Sequence, residues 1–257
     1  MVISVNGVSL DNSTYGWSRL MESKPHTEIA QDLVSVKRPG RHGVLSGLPA
    51  SINASAMTLV VDTPLSRLSA LTALFAGGGV ISKDGYVMPF ELASRTVEDE
   101  PGFAQATFVL RLPSPLWRSA AVSTFTGSGT VNVFPAVTGS APWNGGMSAP
   151  IQDGVVRVAG PALGVQLTDS AGSWVLLGDI DAGEYVRYDM DTLRAWKTTT
   201  DTWTGGTEVS GQVDTGGPRG FFEITPVMVG GDPDNRRGVV TVSAGVADIR
   251  ARDSRLL

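Results

Sequence analysis

The sequence predicts a mainly β chain of two β-sandwich-type domains, the first carrying one α-helix. Three observations predict it. Short runs of alternating apolar and polar residues recur along the chain, split by Gly, Pro, Asn and Asp, as in antiparallel strands joined by tight turns. The 31 glycines and 15 prolines are scattered as punctuation through 257 residues, so turns are many and helices few. One segment alone repeats its apolar residues at three- and four-residue spacing convincingly.

Val2–Val5 reads as a first strand. Asn6-Gly7 closes it and Val8–Leu10 returns, because both turn residues accept positive φ. Leu33–Val36 alternates and stops at the exposed turn Pro39-Gly40-Arg41-His42-Gly43. Met57–Val61 is a buried strand. The helix is expected from a cap at Asp62 or Thr63, with Pro64 in the first turn, where its missing N–H is no loss. Leu65, Leu68, Leu71, Leu74 and Phe75 form its apolar face, and Gly77–Gly79 ends it. Tyr86–Leu92 carries Pro89 and is expected at a sheet edge. Ala104–Leu112 alternates cleanly.

After Trp117 the composition turns to Ser, Thr, Gly, Ala and Pro. This places a first domain over 1–120, a linker or inter-domain excursion over 121–150, and a second domain over 151–257. Strands in that domain are expected at 154–158, 165–168, 173–177, 184–189, 193–197, 220–227 and 239–243, with 247–257 as a last arm or strand.

Composition bounds the function. Charged residues are 18% and the formal net charge is −5, against about 25% charged in an average soluble domain. A charge-poor surface suits a chain that hides much of itself in an assembly. A duplex binder needs a basic stripe, and the longest basic cluster is Lys37-Arg38 with Arg41, so nucleic acid is not expected as a partner. No charged-then-apolar leader is visible, and no window approaches the ~20 apolar residues of a membrane helix, so neither export by a signal peptide nor a membrane partner is expected. With no cysteine, disulfides and thiolate chemistry are excluded.

Catalytic and metal chemistry finds little to work with. His26 and His42 are the only histidines, too few for a transition-metal site. Asp232-Pro233-Asp234-Asn235 has closely spaced oxygens, yet Ser243 stands twelfth from Asp232 where a calcium loop needs a bidentate Glu. Asp179, Asp181 and Glu184 fit turn capping. Glu184, Asp189 and Asp191 could supply a glycosidase pair, yet alternating acids more commonly line a solvated sheet face. There is no Gly-x-Ser-x-Gly elbow, and Gly77–Gly79 lacks the Lys-Ser/Thr of a phosphate loop. No catalytic residue, metal ligand or cofactor is assigned.

Aromatic residues are dense in the second half: Trp174, Tyr185, Tyr188, Trp196 and Trp203. Tryptophan packs cores, and it also stacks on sugars. Trp196 and Trp203 flank the polar segment Lys197–Thr202, near a hairpin tip. With Tyr185 they are the candidate carbohydrate-binding residues.

Several of these segments together resemble one family. In the second half these are Val156–Pro161, Gln166–Asp169, Ser173–Leu177 and Asp181–Asp189. In the first half they are Pro39-Gly40-Arg41-His42-Gly43, the helix after Asp62 and Pro115-Leu116-Trp117. Their order is similar to that of siphophage distal tail (Dit) proteins, and the matches span most of the chain. The departures are His42 for the usual Asp, and Thr225-Pro226 with Gly231–Asn235 where the family has a Pro-Gly-Asp-Asn turn.

The resemblance implies a structural, non-enzymatic virion protein at the distal end of a phage tail, made in the host cytoplasm. Its first domain would form a homohexameric ring, with Arg41 and His42 at a ring-interface turn. One face would join the tail tube and the other the hub. The second domain would be a galectin-like or carbohydrate-module-like sandwich holding receptor-binding proteins or touching host glycans. The competing class is a carbohydrate-binding module or adhesin; a hydrolase is the third.

Overall fold

A computed structural model describes residues 2–24, 31–32, 36–37, 44–45, 51–52, 55–114, 116–134 and 146–256. The chain is mainly β and divides into two compact units, Met1–Ala120 with Leu256–Leu257, and Ala121–Arg255.

The first unit holds β1 (Ile3–Val5), β2 (Val8–Ser9), β3 (Ser18–Arg19), β4 (Gln31–Asp32), β5 (Val36–Lys37), β6 (Val44–Leu45), β7 (Ser51–Ile52), β8 (Ser55–Pro64), α1 (Leu68–Ala76), β9 (Gly79–Lys83), β10 (Tyr86–Glu100), β11 (Phe103–Leu112) and β12 (Leu116–Ser119). Its main sheet runs β2-β1-β9-β10-β11-β8-β3. β4 pairs with β7 and β5 with β6 as separate two-stranded ladders. The turn at 39–43, with Arg41 and His42, lies outside the described residues, as does His26.

Asn6 and Gly7 take φ of 49° and 81°, the left-handed pair that lets β1 turn tightly into β2. Asn6 does a second job. Its amide donates to the Leu74 and Gly78 carbonyls at 3.0 and 3.2 Å and accepts from the Val80 N–H at 2.9 Å. It therefore ties off the Leu74 carbonyl in the last turn of the helix and the Gly78 carbonyl just beyond it. A Cβ on Gly79, at φ 138°, would collide with that amide, which is why glycine stands there.

β11 buries Ala104, Ala106, Phe108, Leu110 and Leu112 on one face. Leu59 of β8 lies opposite Phe108, and Met57 opposite Leu110. Phe75 of α1 stacks on Phe108 with ring centroids 4.0 Å apart and meets Phe90 edge-on at 6.0 Å. This aromatic cluster fastens the helix to the sheet.

Two expectations change here. The helix does not begin at Asp62 or Thr63: β8 continues through Pro64, paired with β11 up to Phe103, and a 3₁₀ turn over Leu65–Arg67 precedes α1. A sheet ladder thus displaces the local capping signal. Leu65 is consequently exposed, and of the expected apolar face only Leu71 and Phe75 are fully buried. Pro89 does not mark a simple edge strand either. It sits where β10 passes from β9, its partner over 86–90, to β11, its partner from Glu91 onward.

The second unit holds β13 (Ser123–Val133), β14 (Val155–Ala159), β15 (Ala162–Asp169), β16 (Trp174–Ile180), β17 (Tyr185–Asp189), β18 (Arg194–Thr198), β19 (Thr207–Glu208), β20 (Asp214–Gly216), β21 (Pro226–Val229) and β22 (Asp232–Ala251). The order is β19-β18-β17-β14-β22-β15-β16-β20, with β13 and β21 also on β22. β22 pairs with β15 over 240–242 and with β14 over 246–250. This twenty-residue strand ties the two halves of the curled sheet together, with Val156, Val158, Val186, Tyr188 and Ile249 of one half and Val165, Leu167, Val175 and Val240 of the other in one core.

The stretch 121–150, expected as a linker or inter-domain excursion, is in its described residues part of the second unit. Ser123–Val133 is a strand laddered on β22 from Ala251 to Gly238, and Met147, Ala149 and Ile151 are buried. Thr124, Thr126, Ser128, Gly129 and Thr130, whose composition suggested a linker, occupy exposed positions of that strand. Likewise 220–225 is not strand, and 239–243 with 247–251 is one continuous element.

Tyr188 is 1% exposed, and its hydroxyl has no hydrogen-bond partner among the described residues. Burial, and then the charge of Asp189, push its ionisation up from 10.0 to about 12. The fold thus favours the neutral phenol: this contribution is complete below pH 10.0 and lost as pH rises towards about 12. We predict that Tyr188→Phe leaves neutral-pH stability unchanged or slightly raised, because no satisfied hydrogen bond is lost. It should also resist alkaline unfolding better. Denaturant melts of both proteins at neutral and alkaline pH check this; a large loss at neutral pH would mean the hydroxyl is bonded.

Candidate functional site

The second unit carries one concentrated polar and aromatic surface. Residues directly opposite each other in neighbouring strands share a face, and the register aligns Thr126 (β13), Asp248 (β22), Arg157 (β14), Arg187 (β17), Trp196 (β18) and Glu208 (β19) in one row. The alternate residues, Val156, Val158, Val186, Tyr188 and Ile249, point to the core.

Arg157 organises this row. Its guanidinium pairs with Asp248 at 2.6 Å and with Asp201, and it lies 4.5 Å from the centre of the Trp203 ring and 5.5 Å from that of Tyr185. Asp248 also accepts from the Thr126 hydroxyl at 2.6 Å. Arg187 lies 4.6 Å from the Trp196 ring centre and donates to the Gly205 carbonyl at 3.3 Å. Asp201, Trp203 and Gly205 belong to the segment between β18 and β19, which folds back over the sheet. Arg157 and Arg187 are therefore only 8% and 7% exposed although they leave the core face. Burial draws the Arg187 ionisation below its ordinary value.

The three candidate sugar platforms, Tyr185, Trp196 and Trp203, lie together on this surface. All are half-buried, and each has a guanidinium against its ring. Trp203 also has Arg250 5.6 Å from its centre. Tyr188 belongs to the core, and Trp174 lies over Gly216 of the neighbouring strand, where a side chain would collide with the indole.

The candidate acids are engaged in turns and one ion pair. Asp189 accepts the Asp191 and Thr192 N–H groups at 3.0 Å each, holding the β17–β18 turn. Asp179 accepts from the Gly164 N–H at 2.7 Å. Glu184 pairs with Lys197 at 2.5 Å; the hydrogen bond from Lys197 holds the Glu184 carboxyl below its ordinary value, and the same bond raises Lys197. Asp232 opens β22 after the Gly230-Gly231 turn. Among the described residues no group of three or more His, Asp or Glu side chains converges as a metal site.

Sequence reasoning missed Arg157, Arg187, Asp201, Asp248 and Arg250. A signal was present: Val156-Arg157-Val158 and Val186-Arg187-Tyr188 each set an arginine on the face opposite two core residues. The strand register that makes them neighbours is not written locally.

No protein-family model matches the sequence, and no curated protein matches it. By architecture the chain is a two-unit, mainly β protein with one α-helix in the first unit among the described residues. Among solved structures it is similar to the crystal structure of SPP1 Dit (gp 19.1), described as a paradigm of hub adsorption apparatus in phages infecting Gram-positive hosts. That similarity has a TM-score of 0.61 at 11% identity and covers 98% of each chain. The two share a fold over nearly their whole lengths.

Proposed function

We propose that this chain is a structural, non-enzymatic component of the distal end of a phage tail, a Dit-like hub protein of the virion. The observation that carries the proposal is the fold shared with SPP1 Dit over 98% of both chains. Within it, six copies form a closed ring through the first unit, with the turn at Arg41 and His42 at the interface. The ring joins the tail tube to the hub, and the second unit carries receptor-binding proteins or meets host glycans.

Two physical features favour assembly. The chain is charge-poor, at 18% charged residues. Beyond Phe90, β10 is laddered by β11 alone among the described residues, leaving the other side of Glu91–Glu100 unladdered. An open edge of this kind can pair with another copy, and a head-to-tail contact that closes on itself makes a ring. Light scattering with negative-stain imaging of the full chain tests this. Rings of six 26.9 kDa subunits are expected, and Arg41→Glu should loosen them. A monomer at every concentration would overturn the ring.

A further inference from the structure

The second unit has a small cavity next to Trp203, of about 260 Å³, lined by Val122, Asp153, Val155, Thr204, Arg250 and Arg252 among others. We infer that it is a binding site for one ring of an anionic saccharide, with Trp203 as the stacking platform and Arg250 as the anion receptor.

Four observations carry the inference. Trp203 is pre-positioned: its indole rests against Arg157, which two carboxylates hold in place. A platform fixed before the ligand arrives loses little order on binding. Arg250 is the unbalanced charge. Arg157 has Asp201 and Asp248, and Arg252 has Asp153. Arg250 is exposed, has the Trp203 ring as its neighbour, and has no carboxylate among the described residues.

The wall is mixed. Val122 and Val155 offer apolar surface, and Val122 is 50% exposed. The Asp153–Arg252 pair and Thr204 offer acceptors and donors to hydroxyl groups. Finally, the volume lies below the ~300–1,000 Å³ of typical ligand pockets, so it suits one sugar ring and is too small for a whole nucleotide. Aromatic face, unpaired guanidinium and hydroxyl partners together describe a pyranose bearing a carboxylate or a phosphate. This inference rests on the glycan-contact reading of the second unit, for which it names the site and the ligand class, and not on ring formation, which light scattering reads separately.

Calorimetry with the full chain provides the test. The probes are a glucuronate-terminated oligosaccharide, a mannose-6-phosphate-terminated one, their neutral parents, inorganic phosphate and AMP. At least one anionic oligosaccharide should bind about tenfold or more tightly than its neutral parent, the factor expected of a charged hydrogen bond; the tighter of the two identifies carboxylate or phosphate as the anion. Arg250→Gln should erase that difference without changing the melting temperature. Trp203→Leu should weaken anionic and neutral sugars alike, and Arg250→Gln decides the matter if the Trp203 variant does not fold. The inference is overturned by the absence of any saccharide binding at millimolar concentration. It is equally overturned by binding indifferent to Arg250→Gln, or by phosphate or AMP binding as tightly as the best saccharide.

Discussion

Arg157→Met is expected to destabilise the second unit by about 3 kcal/mol. Removing one member of a buried ion pair costs about 3–5 kcal/mol, because the partner stays behind without compensation. Here Asp248 is 24% exposed and Asp201 64% exposed, so water takes up part of the loss and the lower end applies. Asp248 keeps its bond from Thr126, and Trp203 loses the guanidinium 4.5 Å from its ring centre. Arg157→Lys should not restore stability, because one ammonium lacks the planar fork that serves two carboxylates and stacks on an aromatic ring. Arg157→Met with Asp248→Leu should recover most of it, since an apolar pair of similar volume replaces a buried ion pair at little cost. Hydrogen exchange of amides in β14, β17 and β22 reads the second unit separately from the first. A loss below about 1 kcal/mol, the range of a surface pair, would show that the row is solvated.

Phe108→Ala should cost the first unit about 3–5 kcal/mol, the range for emptying a buried aromatic site. Phe108 is fully buried, and Phe75 stacks on it at 4.0 Å. The ring is one of the contacts that fasten α1 to the sheet, so the helix should loosen first. Phe108→Leu keeps most of the volume and should lose much less. Amide exchange in α1, compared with β8 and β11, separates a loosened helix from global unfolding of the unit. Protection in α1 unchanged from wild type would show that Phe90 and Leu71 hold the helix without Phe108.

The sequence by itself determined the class of fold and most of its strands. The alternation of Ala104–Leu112 became the buried face of β11 because a period of two can bury only one side of a strand. Asn6-Gly7 became the expected hairpin because its conformation depends on two residues. The polar segment between Trp196 and Trp203 marks a place near a hairpin tip where one of them could leave the core, and both are half-buried. Properties written in neighbouring residues can be read from neighbouring residues.

Tertiary structure decided whatever depended on a partner distant in the chain. Asp62, Thr63 and Pro64 have good capping chemistry, yet they stay in β8 because β11 supplies a ladder for their backbone. The stretch 123–133 has a linker's composition and is nevertheless a strand, since β22 offers it ten paired positions. Asn6 donates to the Leu74 carbonyl at the end of the helix and to the Gly78 carbonyl beyond it, some seventy residues away. The candidate site follows the same rule. Arg157, Arg187, Trp196 and Asp248 become neighbours only through the register of four strands. Side-chain pattern along a strand sets which face is polar; long-range hydrogen bonding sets which polar groups meet on it.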